Sequence, residues 1–190
     1  MASVLYGKTL RGRRFRSIVR RATWGLVFLP FLFPPACGYS LKGNTGSRFA
    51  DPGVRVDLRP FTNESIVPDG GAYIAARLRE EMLRSGFRGR FERNLADYLI
   101  EGTVRGIRLD VVSQGKENYA LEYRMTVSVD IRVVEVARGR VLWKGDGLTD
   151  SASYFSGPDF QYTQSNYRVA FEEISLRLAR RISQTLWEIL

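Results

Sequence analysis

The chain has 190 residues, a formal net charge of +9, no histidine and a single cysteine. Without histidine it lacks the usual general base and the commonest metal ligand, and it cannot form serine–histidine or cysteine–histidine nucleophile pairs. One cysteine also leaves no partner for an intrachain disulfide. We therefore predict that the protein is not an enzyme, holds no metal and relies on packing for its stability.

The positive charge is concentrated at the N-terminus. Seven of the 29 Lys and Arg residues precede Trp24, and the first acidic residue is Asp51. Without residues 1–36 the balance is 29 − 7 = 22 basic against 20 acidic residues, or +2. A charge of +2 supplies no general electrostatic field for nucleic acid, so we predict no nucleic-acid partner.

Residues 1–36 have the parts of a secretory signal peptide of the lipoprotein type. A basic stretch precedes an apolar run over residues 24–33, and Ala36 comes directly before Cys37. Ten apolar residues interrupted by Pro30 are too few to cross about 30 Å of hydrocarbon as a helix. We predict cleavage before Cys37 and a covalent lipid on its sulfur, with no other cofactor.

The cleavage region leaves alternatives open. Pro34 and Pro35 precede Ala36, whereas a usual lipoprotein box has Leu three residues before the cysteine. Ordinary signal cleavage would leave Cys37 unmodified. The long basic stretch also permits a start codon downstream of Met1, and Arg13-Arg14-Phe15 loosely matches a twin-arginine signal.

Residues 37–52 are rich in Gly, Ser, Asn and Thr, which predicts a flexible tether between the lipid and a folded domain over residues 53–190. The domain begins with alternating apolar residues at 54, 56 and 58, typical of a strand. A helix follows, in which Ile74, Leu78 and Met82 recur every four residues, with Asp69 as its cap and Gly86 as its stop.

Three strands and a second helix complete the predicted domain. A strand over about 98–112 carries Gly102 and Gly106, which indicate a bulge. The strongest alternation runs from Tyr119 to Val133, and a turn at 137–140 leads into a hairpin partner at 141–143. The last helix has an apolar stripe formed by Phe171, Ile174, Leu178, Ile182, Leu186 and Ile189.

The order β-α-β-β-β-α, with one buried face per element, predicts an α+β fold. We expect a two-layer sandwich in which both helices pack on one face of a four-stranded, mostly antiparallel sheet. The other face of the sheet should be polar.

Three stretches of the sequence stand out together: Cys37-Gly38-Tyr39-Ser40-Leu41-Lys42-Gly43, Ala96-Asp97-Tyr98-Leu99-Ile100-Glu101-Gly102 and Glu122-Tyr123-Arg124-Met125-Thr126-Val127. In this order they resemble the lipidated start, the entry into the second strand and the start of the third strand of the LptE family of lipopolysaccharide-assembly lipoproteins. The resemblance implies a lipid-anchored outer-membrane protein facing the periplasm and the lumen of a β-barrel. Its partners would be an LptD-like lipopolysaccharide-assembly barrel, which it plugs and helps to assemble, and lipopolysaccharide on its way to the outer leaflet.

Two groups of residues are candidates for these contacts. The resemblance implies a basic residue for lipopolysaccharide at the position of Lys116, and we add Arg124 on the following strand, because cations suit the phosphates of lipid A. The segment 153–167 is aromatic and lacks Lys and Arg. Its candidates for a partner or an acyl chain, which could instead cover the edge of the core, are Tyr154, Phe155, Phe160 and Tyr162.

A second function fits the same leader and domain. The chain would then be a periplasm-facing adaptor or activator lipoprotein, such as an auxiliary subunit of a lipid transporter or a regulator of a cell-wall enzyme.

Overall fold

A computed structural model describes residues 47–115 and 120–190. Cys37, the predicted signal peptide and Lys116 lie outside the described residues. Within them, six strands and two α-helices follow the order of the chain: β1 Arg55–Leu58, β2 Thr62–Asn63, α1 Gly70–Arg84, β3 Arg90–Phe91, β4 Tyr98–Gln114, β5 Ala120–Glu135, β6 Arg140–Phe155 and α2 Phe160–Ile189.

The six strands form one mixed sheet. Its order is β3-β1-β4-β5-β6, and β2 also pairs with β4 beyond the end of β1. The long strands β4, β5 and β6 are antiparallel neighbours, whereas β1, β2 and β3 pair in parallel. The predicted α+β class with two helices is confirmed, but the four-stranded, mostly antiparallel sheet is wrong in detail. Strands of two residues are too short to show an alternating pattern, so β2 and β3 were not predicted.

A single apolar core lies between the sheet and the helices. In β5 the buried apolar side chains are every second residue from Met125 to Val133. The predicted stripes of α1 and α2 are buried in the same cluster, except for Ile189, which is only partly buried against it. Burying one such aliphatic side chain contributes about 1.5–3 kcal/mol. The core therefore confirms the periodicity from which both helices and β5 were predicted.

The ends of α1 depend on backbone conformation. Asp69 precedes the helix in the left-handed region, with φ 58°, and its side chain makes no capping hydrogen bond. Asp69 is thus the N-cap residue, as predicted, but without the side-chain hydrogen bond that favours aspartate at this position. At the other end Gly86 has φ 101°, and the Phe87 N–H donates to the Met82 carbonyl over 3.0 Å. This is a Schellman ending, so the predicted stop at Gly86 is confirmed.

The segment directly before β1 belongs to the folded domain. Arg48–Ala50 forms a 3-10 turn, and the Phe49 side chain is 1% exposed. Its ring meets the rings of Phe87 and Trp187 edge-on, with centroid distances of 5.2 and 5.7 Å. The predicted flexible tether therefore does not extend through residues 47–50, because one aromatic side chain binds this segment to the core.

The two ends of the described chain meet at one end of the sheet. The Arg48 N–H donates to the Leu190 carbonyl over 2.7 Å. We call this the proximal end; a cavity there is lined by residues from the start of β4, the end of β5 and the start of β6. The opposite, distal end carries the connection between β4 and β5 and the start of α2.

Candidate functional site

The sheet has a polar surface on the side away from the helices, which we call the outer face. On β5 it is formed by the residues that alternate with the buried ones: Glu122, Arg124, Thr126, Ser128, Asp130 and Arg132. Cross-strand neighbours continue the surface onto β4 and β6, where Arg132 lies opposite Glu101 and Lys144. The predicted polar face is thus present, and strand alternation produces it.

Ion pairs join the outer face to β1 near the proximal end. Arg132 donates from Nε to Glu101 Oε1 over 2.9 Å. Arg59 lies 3.8 Å from the other Glu101 oxygen, measured from Nη1 to Oε2, and its Nε lies 3.0 Å from Asp57 Oδ2. Asp57 is itself buried. A buried carboxylate needs a cationic partner, and Arg59 supplies it.

A second group of charges centres on Asp130. The Gly147 N–H donates to Asp130 Oδ1 over 2.7 Å, and Arg105 Nε donates to Oδ2 over 2.6 Å. These bonds hold the pKa of Asp130 below its ordinary value, the Gly147 N–H having the larger effect. Arg105 also reaches Glu64 over 3.1 Å, and both carboxylates raise its pKa. Asp130 and Arg105 therefore both stay ionised at neutral pH.

These charges line a shallow polar cavity of about 410 Å³. Within it, Lys144 pairs with Asp146 over 2.9 Å, in addition to the groups around Glu101 and Asp130. Exposed ion pairs contribute little to stability, because water solvates the separated charges well. A polar partner can exchange hydrogen bonds with such a surface at small cost, so the cavity suits docking better than chemistry.

Arg124 is the cation of the outer face nearest the distal end. It is exposed and lies between Asp110 of β4 and Ser153 of β6. Asp110 already pairs with Arg108 over 3.0 Å, and no ion pair joins Arg124 to any residue that the structure describes. Its guanidinium is therefore available to an external anion. Lys116, the other predicted cation, lies outside the described residues, in the connection between β4 and β5.

The predicted aromatic group is divided by the register of β6. Tyr154 lies opposite Tyr123 on the core side, where their rings stack with centroids 5.5 Å apart, and it is 7% exposed. Burial raises the pKa of its hydroxyl. The burial of this ring favours the alternative left open for the segment, in which Tyr154 covers the edge of the core, and its interface role stays a prediction. Phe155, the next residue, is exposed and lies opposite Glu122 on the outer face.

Phe160 and Tyr162 are also exposed, but they are not in a loop. They belong to the first turn of α2, which begins eleven residues before Phe171, the first residue of the predicted stripe. Asp159 caps this turn by accepting a hydrogen bond from the Tyr162 N–H over 2.7 Å. An aspartate in this position is a known helix-start signal. The aromatic content of the segment concealed that signal in the sequence.

Two structural features bear on classes of function. Among residues 47–115 and 120–190, no three His, Cys, Asp or Glu side chains are grouped closely enough to hold a metal ion. In the same part of the chain, neither helix combines the length and apolar character needed to cross a bilayer.

Comparisons with known proteins identify a family and a shared fold. The model of the family described as "LptE: Lipopolysaccharide-assembly" matches residues 54–186. The structure is similar to the rare lipoprotein B from Shewanella oneidensis, with 12% identity, 70% of this chain and 94% of that chain covered, and a TM-score of 0.53. It is also similar to the hypothetical protein CT253 from Chlamydia trachomatis, with 11% identity, 72% and 97% coverage, and a TM-score of 0.51. At these identities the likeness shows a shared fold. No curated protein matches the sequence significantly.

Proposed function

Because this chain belongs to the LptE family of lipopolysaccharide-assembly proteins, we propose that it is an outer-membrane lipoprotein that plugs and helps to assemble the lipopolysaccharide-translocating β-barrel. In this role it also binds lipopolysaccharide during delivery to the outer leaflet. The family is not enzymatic and needs no cofactor. The observation that carries the proposal is the outer face, a broad polar and ion-paired surface on the side of the sheet opposite the apolar core.

The outer face suits the inside of a barrel because the lumen of such barrels is polar. Its paired charges at Glu101 and Asp130 and its hydroxyl groups at Thr126 and Ser128 offer both donors and acceptors. An isolated buried charge would make burial against a partner costly, whereas paired charges keep their partners on docking. The outer face is therefore the surface that we assign to the barrel.

Lipopolysaccharide would bind at the distal end of the same face. Arg124 has no ion pair with another described residue, and an arginine fork can donate two parallel hydrogen bonds to one phosphate. Lys116 would add a second cation from the connection between β4 and β5. Phe155, which is exposed beside Glu122, would meet the apolar part of the lipid.

The anchor in this proposal is the lipid on Cys37. Mass spectrometry of the mature N-terminus tests it directly. A mature chain that begins at Cys37 and carries acyl groups supports the lipoprotein. An unmodified cysteine, or cleavage elsewhere, would remove the lipid from the proposal.

Site-specific photocrosslinking tests the docking surface. A photoreactive residue at Ser153, which is exposed on the outer face, should form an adduct with a large β-barrel in intact cells. The same residue at Gln184, exposed on α2, is the matched control on the helical side. Equal adducts at both positions would show that the outer face is not the preferred surface, and no barrel adduct at Ser153 would refute barrel docking through it.

Charge reversal tests the lipid site. Arg124→Glu and Lys116→Glu should each weaken binding of purified lipopolysaccharide at least several-fold while leaving the photocrosslink to the barrel intact. Arg168→Glu is the control, because Arg168 is exposed on α2. If Arg124→Glu and Arg168→Glu bind lipopolysaccharide equally well, Arg124 is not part of the site.

A further inference from the structure

One edge of the sheet is open along the distal half of β4. On this side β1 pairs with residues 98–100 of β4, and β2 pairs with Thr103 and Val104. The last bond is from the Glu64 N–H to the Val104 carbonyl, over 2.9 Å. From Gly106 to Gln114, β5 is the only strand beside β4 within the described chain. An unpaired strand edge is a template for pairing with another chain.

The other long edge of the sheet, formed by β6, is covered by side chains of α2. On β6, Arg177 Nη2 of α2 donates to the Ser151 carbonyl over 2.8 Å, and Asn166 Nδ2 donates to the Phe155 carbonyl over 2.8 Å. Gly147, in the left-handed region with φ 62°, forms a bulge that bends the same strand. Covering side chains and bulges are the usual means of blocking an edge. No described side chain covers the distal half of β4 in this way, and its segment Ile107–Val111 pairs regularly with β5 between the bulges that precede Gly106 and follow Val111.

The direction of the backbone groups along this edge follows from the paired half of β4. The carbonyls of Ile100 and Val104, both residues on the core side, accept hydrogen bonds from the Arg59 and Glu64 N–H groups. Residues on one face of a strand point their N–H and C=O groups to the same side. Core-side residues of β4 therefore direct these groups toward the open edge.

A bulge between Val104 and Gly106 shifts this pattern by one residue. Beyond it the core-side residues are Ile107, Leu109 and Val111, which lie opposite Val127, Met125 and Tyr123 of β5. Their six N–H and C=O groups point to the open edge. The side chains of Leu109 and Val111 are 39% and 49% exposed, so apolar surface accompanies the free backbone groups.

The sequence of this edge is self-complementary. In Ile107-Arg108-Leu109-Asp110-Val111, apolar residues alternate with one basic and one acidic residue. When two such strands run antiparallel about a two-fold axis at Leu109, Arg108 of each copy lies opposite Asp110 of the other. Ile107 then lies opposite Val111, and the backbone forms up to six hydrogen bonds. Opposite charges directly across a strand pair are stabilising.

We propose that a second copy of this chain pairs with the distal half of β4 in this antiparallel register, which joins two sheets across a two-fold axis. Arg108 and Asp110 already lie 3.0 Å apart within one strand, so two copies bring four alternating charges together. The contact is isologous, because the same residues serve both copies, and it closes as a dimer. This self-association goes beyond the proposed function and uses the edge of the sheet, beside which the Arg108 and Asp110 side chains lie on the outer face.

The size of the contact sets the strength to expect. Five residues per copy bury less than the roughly 1,200 Å² of a standard stable interface. We therefore expect a reversible dimer that forms at micromolar concentrations and dissociates on dilution. Sedimentation velocity of the full chain in density-matched detergent, over a hundredfold range of concentration, measures this equilibrium.

Charge exchange gives the sharpest test. Arg108→Asp places acidic residues opposite each other across the contact, and Asp110→Arg places basic residues opposite each other. Each variant alone should therefore self-associate about tenfold more weakly, which corresponds to a loss of about 1.4 kcal/mol in the free energy of association. An equimolar mixture of the two restores opposite charges at every pair and should recover dimers at the wild-type concentration. Lys144→Asp and Asp146→Arg change an equally exposed ion pair on β6 and should leave association unchanged.

A backbone variant tests the hydrogen bonds separately. Leu109→Pro removes an N–H that faces the open edge, and an edge strand tolerates proline there. The variant should stay monomeric, with its folded state checked by circular dichroism. A wild-type chain that remains monomeric at all concentrations overturns the proposal. Single charge variants that dimerise normally would also overturn the proposal, since the contact then lies elsewhere. The third contradicting result is an equimolar mixture of folded charge variants that stays monomeric.

Discussion

Replacing Phe49 with alanine should strongly destabilise the domain. The Phe49 ring is 1% exposed and packs edge-on against Phe87 and Trp187. A phenylalanine that buries roughly 150–250 Å² contributes about 4–6 kcal/mol at about 25 cal/mol per Å². Measured truncations of buried Phe to Ala cost about 3–5 kcal/mol. We therefore expect Phe49→Ala to lower the free energy of unfolding by about 4 kcal/mol.

Chemical and thermal unfolding followed by circular dichroism measure this loss. For a domain of this size, about 4 kcal/mol corresponds to a decrease in Tm of roughly 10–15 °C. Phe160→Ala is the matched control, because the Phe160 side chain is 80% exposed and its removal should change stability by less than about 0.5 kcal/mol. If the two variants differ by less than about 1 kcal/mol, Phe49 is not part of the core and the tether extends further than the structure indicates.

Three further substitutions test packing, charge and helix attachment. Gly71→Ala would place a Cβ 2.1 Å from the Phe61 carbonyl oxygen. We therefore expect α1 to shift and the free energy of unfolding, measured in urea, to fall by more than about 2 kcal/mol. Gly106→Ala is the control, because a Cβ there meets nothing within 4 Å and should lower the free energy of unfolding far less. Asp130→Asn should lower the free energy of unfolding by about 1 kcal/mol at pH 7. Because the folded-state pKa of Asp130 lies below its ordinary 3.8, this difference should be fully present above about pH 4 and should disappear as pH falls through the lower folded-state value. Arg177→Met removes the hydrogen bonds that join α2 to Asp150 and Ser151 of β6. The free energy of unfolding in urea should fall by about 1–2 kcal/mol. A variant as stable as the parent would show that apolar packing alone holds α2 in place.

The elements that the sequence predicted best have long, regular patterns. The alternation along β5 and the stripe of α2 both produce buried faces as expected, because each covers many turns or repeats. The parallel strands β2 and β3 have two residues each, and only their partners β4 and β1 define them. Short strands are products of tertiary pairing, so no local pattern reveals them.

The candidate site depended on register, which the sequence shows only in part. Tyr154 and Phe155 are neighbours of similar character, yet one is buried and the other exposed, because β6 pairs Tyr154 with Tyr123 and Phe155 with Glu122. Arg105 was likewise missed as a partner of Asp130, since it is the unpaired residue of the bulge between Val104 and Gly106 and has no direct neighbour on β5. Arg124 was placed correctly on the outer face, because β5 alternates without interruption there.

The contact between the two ends of the described chain has a consequence for the order in which the protein forms. Phe49 leaves the ribosome early, whereas Trp187 and Leu190, which complete its surroundings, are made only after the whole sheet. At typical rates of synthesis the interval is roughly 10–30 s. Throughout that time the native surroundings of Phe49 are incomplete, because Trp187 is missing from them. The segment around Phe49 therefore remains accessible to other factors until α2 has been made, and this end of the domain closes only when that helix is complete.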